Sequence, residues 1–454
     1  MLNSKFYGFI QIIVDVLLIH AGYLIAFYIR YLGEFPEANF PSYIRLIPWI
    51  SLLAILMFFI YGLYDTIYKR WIEIFSSILW VIGFIFAGNT ALSFMLRQFA
   101  FPRTVLLMAV FVHVILLSFW RYWIWKMAKK THGKKTVIIV GKRDEAEFLA
   151  GKINESTPDL YKVIGVVVTV DSILSEKKDH CFSILGEINS LESVLIENNP
   201  SVVFVCSDLS KEEKVEILSK CLEYDCDINF IPDFYDTLMA QAKILQVDDI
   251  PVLYVNSSIL PSADRTAKRV MDIFVAVFGL LLTMPLFLII SLLIRLDSKG
   301  PIIFKQERVG RKGKIFFLYK FRTMVDNAEK SSGPVLSNLD DVRVTRIGKL
   351  LRHSRLDELP QFINVLKGDM SIIGPRPERP FFVEQFNESI AGYDYRHRIK
   401  GGITGLAQIS GKYSTSAEDK LRFDLLYAKN YTPLMDLQIL FRTLKVLLIK
   451  DKAS

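Results

Sequence analysis

The chain has 454 residues, of which 52% are hydrophobic and 13% aromatic, and its mean hydropathy is +0.32. These values are high for a soluble protein and indicate a membrane protein of roughly two to four domains. The net charge of +8 fits an anionic membrane surface or a phosphorylated substrate. No nucleic-acid partner is expected, because it would need a basic domain that the hydropathy does not offer. The four cysteines form no Cys-x-x-Cys pair, which predicts reduced thiols in a cytosolic domain.

The first 130 residues contain long apolar segments. They are about residues 7–26, 44–63, 74–96 and 105–125. Each is long enough to cross a bilayer, and the first is not a cleaved signal peptide, since it is too long and three more segments follow. Basic residues lie after the second segment, at Lys69 and Arg70, and after the fourth, from Lys126 onward. By the positive-inside rule, residues 1–130 are therefore predicted to be four transmembrane helices, with the N-terminus and everything after residue 130 in the cytosol.

Residues 131–256 alternate short apolar segments with polar helical ones, which predicts a Rossmann-like α/β domain with buried parallel strands. The predicted strands are TVIIVG at 136–141, VIGVVVTV at 163–170, VVFVC at 202–206 and INFIP at 228–232. The first strand leads into Gly141-Lys142-Arg143, without the second and third glycines of a dinucleotide-binding turn. No Tyr-x-x-x-Lys pair occurs in this region either. A structural, dimerising or regulatory role is therefore the default expectation.

A fifth apolar segment, at 273–294, is long enough to span a membrane. Both of its ends are basic, however, and Pro285 lies near its middle, where proline bends a helix. A full crossing would also place the rest of the chain outside the cell. We therefore predict a re-entrant helix at 270–294 that enters and leaves by the same leaflet. An ordinary kinked span is the alternative.

Two adjacent acids, Asp357 and Glu358, are surrounded by arginines and followed by a Gly-Pro-Arg-Pro turn. Two carboxylates alone would repel a phosphorylated substrate. The nearby Arg352, Arg355 and Arg376 therefore indicate a divalent cation and guanidinium contacts to phosphate oxygens. A capped surface helix with ordinary ion pairs is the alternative.

The local pattern also predicts where these acids lie. Ser354 and Asp357 fit a Ser-x-x-Asp capping box, which would place both acids in the first turn of a helix. There the helix dipole would keep the carboxylates ionised. Pro360 leaves the start of that helix open, since a proline past the first turn removes an amide donor.

Five segments, taken together, resemble the bacterial sugar transferases in order and spacing. They are KRVMD at 268–272, GPIIFKQERVGRKG at 300–313, KFRTM at 320–324, LRHSRLDELPQFINVLKGDMSIIGPRPE at 351–378 and KGGITGLAQISG at 400–411. These enzymes are polyprenyl-phosphate hexose-1-phosphate transferases, and the resemblance covers about residues 260–450. It implies a monotopic, mainly helical catalytic domain at 257–454. The preceding domains resemble the long form of the family, with four transmembrane helices and a degenerate Rossmann-like domain.

The resemblance implies an activity as well. A sugar 1-phosphate would pass from a UDP-sugar to undecaprenyl phosphate, with release of UMP, at the inner face of the bacterial cytoplasmic membrane. This would be the first membrane step of exopolysaccharide, capsule or O-antigen synthesis. Mg²⁺ or Mn²⁺ is the implied cofactor, and membrane lipid is a further expected partner. The sequence leaves open whether the chain forms a homodimer.

Two other functions remain open from the sequence. A nucleotide-sugar epimerase or dehydratase would use the α/β domain, and the missing glycine fingerprint argues against it. A non-catalytic scaffold or regulator of polysaccharide assembly would keep the fold without the chemistry. The intact Asp357, Glu358 and Arg376 argue against that function.

By matched position, the resemblance makes Asp357 the nucleophile of a covalent phosphosugar intermediate and Glu358 its partner in holding the metal ion. The other implied residues are Arg352, Arg376 and Arg322 for substrate phosphate, Gln408, Lys400 and Thr404 near the nucleotide sugar, and Lys268, Arg269, Asp272 and Pro285 for anchoring the membrane helix. The chain departs from the family at Arg355, where a small hydroxyl residue is usual, and at Gly401, where proline is usual. The acid pair is unaffected by these departures.

The last segment, residues 431–450, has leucines at helical spacing with basic residues between them. It is too charged to span a membrane. The sequence leaves two placements open, along the membrane interface or packed on the catalytic domain.

Overall fold

A computed structural model describes residues 2–64, 66, 69–169, 182–240, 242–255, 262–325, 341, 343–412 and 415–447. The chain divides into two compact units, Met1–Asp233 and Phe234–Ser454. The boundary between these units lies earlier in the chain than the domain boundary expected at residues 256 and 257, which are themselves outside the described residues.

The first unit begins with helices made of almost wholly apolar sequence. They are α1 (Leu2–Arg30), α2 (Phe40–Ile60), α3 (Trp71–Met95) and α4 (Arg103–His132). Helix α1 packs on α2 and α4, and α3 packs on the same two helices. All four are long and apolar enough to cross a membrane, as is one helix of the second unit. The chain is therefore a membrane protein, in which helices satisfy every main-chain amide internally.

A buried ion pair joins the first and last of these helices. Asp15 of α1 and Arg121 of α4 have side chains that are each 1% exposed. Arg121 also donates a hydrogen bond to the carbonyl of Leu63 at 2.6 Å. Both charges face the interior of the bundle, as charged side chains in apolar helices do when they are paired.

The first unit continues as an α/β domain. Its elements are β1 (Lys135–Gly141), α5 (Arg143–Ser156), β2 (Tyr161–Val168), β3 (Ile184–Glu187), α6 (Leu191–Asn198), β4 (Val202–Val205), α7 (Lys211–Glu223) and β5 (Asp227–Phe230). The strands pair in parallel in the order β3-β2-β1-β4-β5.

The predicted parallel sheet is confirmed, and β3 is an additional strand. Apolar side chains cover both faces of β1, because Val137 and Ile139 pack into one core cluster and Ile138 and Val140 into another. This explains why the strand sequence is continuously apolar. Residue 170, the end of the predicted second strand, and Cys181 lie outside the described residues.

The second unit is mainly helical. Its elements are α8 (Phe234–Met239), β6 (Lys243–Val247), β7 (Ile250–Tyr254), α9 (Ser262–Asp297), β8 (Ile303–Val309), β9 (Ile315–Phe321), α10 (Arg346–Ser354), α11 (Gln361–Lys367), β10 (Ser371–Ile373), α12 (Pro380–Ser389), β11 (Gly402–Thr404), α13 (Leu406–Ser410), α14 (Ala417–Lys429) and α15 (Pro433–Val446). Strands β6 and β7 pair antiparallel, as do β8 and β9, whereas β10 and β11 pair in parallel.

The N-terminal part of α9 is attached to the body of this unit by charged side chains. Lys268 is buried and donates hydrogen bonds to Asp436 at 2.7 Å and to the Tyr427 hydroxyl at 2.8 Å. Arg269 donates to two main-chain carbonyls at the end of α11. Asp272 accepts hydrogen bonds from the Ser371 hydroxyl and the next main-chain amide. These predicted anchoring residues therefore all bind α9 to neighbouring elements.

The C-terminal part of α9 is attached to the same unit. Ile290 and Ile294 are buried in a cluster with residues of β9 and α10. The guanidinium of Arg322 donates to the carbonyls of Ser298 and Lys299, just past the end of the helix. Exposed apolar side chains occur along the whole helix from Val270 to Leu296, and near Pro285, between the two attached parts, they include Leu281, Leu282, Met284 and Leu286. The helix therefore contacts its unit at both ends and presents apolar side chains between them.

Helix α15 packs on this unit through Ile439 and Val446, which are buried in the core cluster that contains Ile373 of β10. Of the two placements left open by the sequence, packing on the catalytic domain is therefore found. Leu448 and Lys450 of the predicted segment lie outside the described residues.

Candidate active site

The acid pair lies in a tight turn between two helices. Helix α10 ends at Ser354, Arg355 adopts a left-handed conformation with φ of 55°, and Leu356–Glu358 form one 3₁₀ turn. The Ser354 hydroxyl donates to the carbonyl of Leu350 at 2.8 Å, within α10. The predicted capping box is therefore wrong, because Ser354 belongs to the preceding helix. Pro360 occupies the position before α11, where its missing amide hydrogen costs nothing.

Glu358 is held by two cations. Its Oε1 accepts a hydrogen bond from Nη2 of Arg376 at 2.7 Å and another from Nζ of Lys320 at 3.1 Å. Burial alone would raise the pKa of Glu358, but Arg376 and Lys320 together hold that pKa well below its usual range. Glu358 is therefore a permanently ionised carboxylate with a fixed orientation.

Asp357 is in a different state, although it is the adjacent residue. Its side chain is 8% exposed, and burial raises the pKa of Asp357 to about 6, although Lys320 opposes that shift. In the described part of the chain its carboxylate receives no hydrogen bond. The sequence analysis expected a helix dipole to keep both acids ionised, but the acids precede α11 instead of lying in its first turn, and burial dominates the pKa of Asp357. Environments that separate the pKa values of two neighbouring acids give them different chemical roles.

The carboxylates fit a divalent cation. Both hydrogen bonds to Glu358 end on Oε1, so Oε2 and both oxygens of Asp357 have no donor among the described residues. Mg²⁺ commonly binds one or two carboxylates and completes its coordination with water and substrate phosphates. Asp357 and Glu358 would hold such an ion between them.

The predicted arginines have different surroundings. Arg355 lies near both acids, burial lowers its pKa, and its Nη2 is buried without a hydrogen-bond partner among the described residues. Arg352 is directed to Thr323, to whose hydroxyl its Nε donates at 2.9 Å. Arg322 binds the end of α9, as described above, so its donors serve the main chain. The charge of Arg352 still acts on Asp357, so the structure brings Arg352, Arg355 and Arg376 to the acid pair and places Arg322 elsewhere.

The three residues expected near the nucleotide sugar also differ from one another. Gln408 is 7% exposed, and neither its amide oxygen nor its amide nitrogen has a partner among the described residues. The Thr404 hydroxyl hydrogen-bonds that of Thr443 at 2.8 Å. Lys400 is partly buried, and burial followed by the charge of Arg269 lowers its pKa. An unpaired buried amide is costly, so Gln408 is the member of this group whose surroundings best match a ligand contact.

Lys320 is a site residue that the sequence analysis did not assign. It lies in the KFRTM segment on β9, which packs against the turn that contains the acids. Lysines in short strands are common and carry no spacing signal of their own. Its role follows only from the packing of β9 on the turn, which brings Nζ to 3.1 Å from Glu358.

Residues 263–450 match the family described as bacterial sugar transferase. An uncharacterized sugar transferase from Bacillus subtilis is 42% identical over 184 residues, which are 40% of this chain and 88% of that protein. The chain belongs to the bacterial sugar transferase family. The acid pair, Arg376 and Gln408 all lie within the matched region.

Relatives with more specific names match a smaller share of their own length. A protein of Aeromonas hydrophila named UDP-N-acetylgalactosamine-undecaprenyl-phosphate N-acetylgalactosaminephosphotransferase is 42% identical over 235 residues, 51% of this chain and 54% of that protein. A Klebsiella pneumoniae protein named UDP-glucose:undecaprenyl-phosphate glucose-1-phosphate transferase is 35% identical over 266 residues, 57% of each chain. This chain thus spans about half the length of these two relatives.

Residues 59–232 match a second family, described as CoA-binding domain. In a parallel α/β sheet a ligand phosphate binds where the strand order reverses, at the first turn of the following helix. Here that turn is occupied by a carboxylate, because Asp208 accepts a hydrogen bond from the main-chain amide of Lys142 at 3.0 Å. Burial and the neighbouring Glu145 raise the pKa of Asp208 to about 6. These residues do not fit a CoA pyrophosphate, and no step of the chemistry is assigned to CoA.

Proposed function

We propose that this chain transfers a sugar 1-phosphate from a UDP-sugar to undecaprenyl phosphate and releases UMP. The proposal rests on the different surroundings of the two adjacent acids. Glu358 is fixed by Arg376 and Lys320, whereas the adjacent Asp357 has an unengaged carboxylate suited to attack. The names of the Aeromonas and Klebsiella relatives support undecaprenyl phosphate as the acceptor and a UDP-sugar as the donor.

The reaction would proceed in two displacements at one phosphorus atom. In the first, a carboxylate oxygen of Asp357 attacks the phosphorus next to the sugar. A bond from oxygen to phosphorus forms, and the bond to the UMP oxygen breaks, so that UMP leaves with the electron pair. In the second, a phosphate oxygen of the lipid attacks the same phosphorus and releases the carboxylate. The covalent aspartyl phosphosugar divides an exchange between two anionic partners into two separate steps.

The surrounding side chains have complementary tasks in this proposal. A divalent cation, Mg²⁺ or Mn²⁺, held by Asp357 and Glu358, supplies positive charge against the diphosphate and the departing UMP. Arg376 and Arg355 present guanidinium groups where negative charge accumulates on the transferring phosphate oxygens. Lys320 keeps Glu358 ionised and in place. The buried amide of Gln408 would gain its missing partners from the nucleotide sugar.

The membrane arrangement that we propose has α1–α4 crossing the bilayer and α9 as a re-entrant helix, with the α/β domain and the catalytic domain on the cytosolic side. Attachment of both ends of α9 to one compact unit supports this arrangement, because a helix that crossed fully would carry one end away. The site would then face the membrane surface, where the phosphate of the lipid acceptor lies.

The direct test is UMP release by the purified protein in nanodiscs, with Mg²⁺, undecaprenyl phosphate and a panel of UDP-sugars. We expect UMP release that depends on the lipid and is obtained with one or a few of the sugars. A folded, metal-loaded sample that releases no UMP with any donor would contradict the proposed function and favour a scaffold.

The dependence of activity on pH, below neutral pH, should report the ionisation of the Asp357 carboxyl. Its carboxyl must be ionised to attack, and its pKa is raised to about 6. The value of kcat/KM for UMP release should therefore fall by about tenfold for each pH unit below roughly 6. Raising the Mg²⁺ concentration should move the midpoint to lower pH, because a bound cation favours the ionised carboxylate. A profile that stays flat down to pH 5 at low Mg²⁺ would contradict this assignment.

A further inference from the structure

The loop that carries Arg376 is held at consecutive main-chain carbonyls. Two of these carbonyls accept hydrogen bonds from main-chain amides: Pro375 from Gly402 at 2.8 Å, and Glu378 from Val309 at 2.9 Å. The other two accept from arginine side chains. The carbonyl of Arg376 binds Nη2 of Arg396 at 3.0 Å, and the carbonyl of Pro377 binds Nη1 of Arg308 at 2.8 Å. The two prolines have fixed φ and no amide hydrogen. These carbonyl contacts therefore fix the main chain on both sides of Arg376.

The donor to Arg376 itself is a buried guanidinium. Arg396 is 5% exposed, and it forms an ion pair of 2.8 Å with Asp424 of α14, which is 2% exposed. A second nitrogen of Arg396 donates to the Tyr393 hydroxyl. Its guanidinium carbon lies 5.0 Å from the centre of the Tyr393 ring. The ion pair with Asp424 and the contacts with the Tyr393 hydroxyl and ring hold the Arg396 guanidinium in one orientation. In that orientation Nη2 is directed at the carbonyl of Arg376.

This contact continues into the active site. The side chain of Arg376 donates to Glu358 at 2.7 Å, and Glu358 is the neighbour of Asp357. The position of the Arg376 main chain decides whether its guanidinium reaches Glu358 and the space beside the acid pair. Catalytic groups tolerate little displacement, since a shift of about 1 Å can cost roughly 100-fold in rate.

We infer that Arg396 and Asp424 are positioning residues for the phosphosugar transfer, an inference that rests on the proposed function. They act through Arg376, by fixing its carbonyl, and contact neither substrate nor metal. Asp424 orients Arg396, Arg396 fixes the loop, and the loop directs the Arg376 guanidinium to the reacting phosphate.

The kinetic test is a double-mutant cycle in the full-length protein in nanodiscs. Asp424→Asn should lower kcat for UMP release by about 10- to 100-fold and change KM for the UDP-sugar by less than about threefold. In an Arg376→Lys background, the same change should lower kcat by less than about threefold, because the group that it positions is already altered. Arg396→Lys should retain more activity than Arg396→Gln, since lysine keeps a charged donor for the carbonyl.

The matched control is Asp419→Asn, which removes another carboxylate from α14. Asp419 pairs with Arg422 on the same helix, so kcat should stay at the wild-type value. Equal losses from Asp424→Asn in the wild-type and Arg376→Lys backgrounds would overturn the inference, because the pair would then act independently of Arg376.

A second measurement does not depend on activity. The amides of Gly402 and Val309 donate to carbonyls of the loop, so their hydrogen exchange reports whether the loop is held. Asp424→Asn should accelerate exchange in peptides that contain these two amides, and Asp419→Asn should not. Unchanged exchange in Asp424→Asn would overturn the inference. If the wild-type protein releases no UMP, the proposed function fails on that result, and the exchange rates still decide whether the pair holds the loop.

Discussion

Asp357→Asn is expected to lower UMP release by about 10⁴-fold or more, because an amide cannot form the acyl phosphate on which both displacements depend. Asparagine has nearly the same shape, and the site gives the Asp357 carboxylate no hydrogen bond within the described residues. The substitution therefore removes the proposed nucleophile with little change in packing. The rate of UMP release with and without undecaprenyl phosphate is the measurement.

The thermal midpoint provides the accompanying control. The folded-state pKa of Asp357, about 6, is above the ordinary aspartate value, so Asp357 is mostly ionised at neutral pH but its ionisation there lowers the free energy of unfolding. Removing that charge should leave the midpoint unchanged or raise it. Glu388→Gln, at an exposed position on α12, should retain full activity. Substantial UMP release by freshly purified Asp357→Asn would show that another group is the nucleophile.

Lys268→Met is expected to lower the free energy of unfolding of the second unit by about 3–5 kcal/mol. The substitution leaves the carboxylate of Asp436, which is fully buried, without the cation that it pairs with, although the Tyr427 hydroxyl still donates to it. For a unit of this size the thermal midpoint in detergent should fall by roughly 10 °C. Differential scanning fluorimetry in detergent measures the shift.

The double variant Lys268→Met/Asp436→Leu separates charge from packing. Replacing both members of a buried pair by apolar residues removes the uncompensated charge, so most of the lost stability should return. Arg70→Met breaks an exposed ion pair with Glu73 and should change the free energy of unfolding by less than about 1 kcal/mol. A double variant as unstable as Lys268→Met would indicate that specific hydrogen bonds, and not the unpaired charge, account for the loss.

Features that depend on one continuous stretch of sequence were predicted well. The apolar segments became α1–α4 and α9, and the apolar runs became β1, β2, β4 and β5, because a long or alternating hydrophobic pattern has few structural solutions. Strand β3 was missed because its four residues, ILGE, carry too little pattern to distinguish from a loop. The adjacent acids could be recognised for the same reason as the helices, since they are neighbours in the chain.

The rest of the site depends on contacts between distant segments. Ser-x-x-Asp has the letters of a capping box, but the left-handed Arg355 ends α10 after Ser354, and no local pattern signals that conformation at an arginine. Lys320 reaches Glu358 only because β9 packs on the turn. Arg396 and Asp424 are 28 positions apart, and each looks in the sequence like an ordinary surface charge. Only the fold shows that the two side chains are buried and form an ion pair.

Because both ends of α9 are attached to the catalytic unit, we expect the enzyme to tolerate bilayers of different thickness. A helix that crosses the bilayer must match a hydrocarbon thickness of about 30 Å, and a mismatch costs free energy. In the proposed re-entrant arrangement α9 does not cross the full hydrocarbon core, and its depth is set instead by the two parts of the helix that are attached to the catalytic unit. With this arrangement the catalytic unit should sit at the same depth in bilayers with short or long acyl chains, whereas α1–α4, which are proposed to cross the bilayer, would adjust to each.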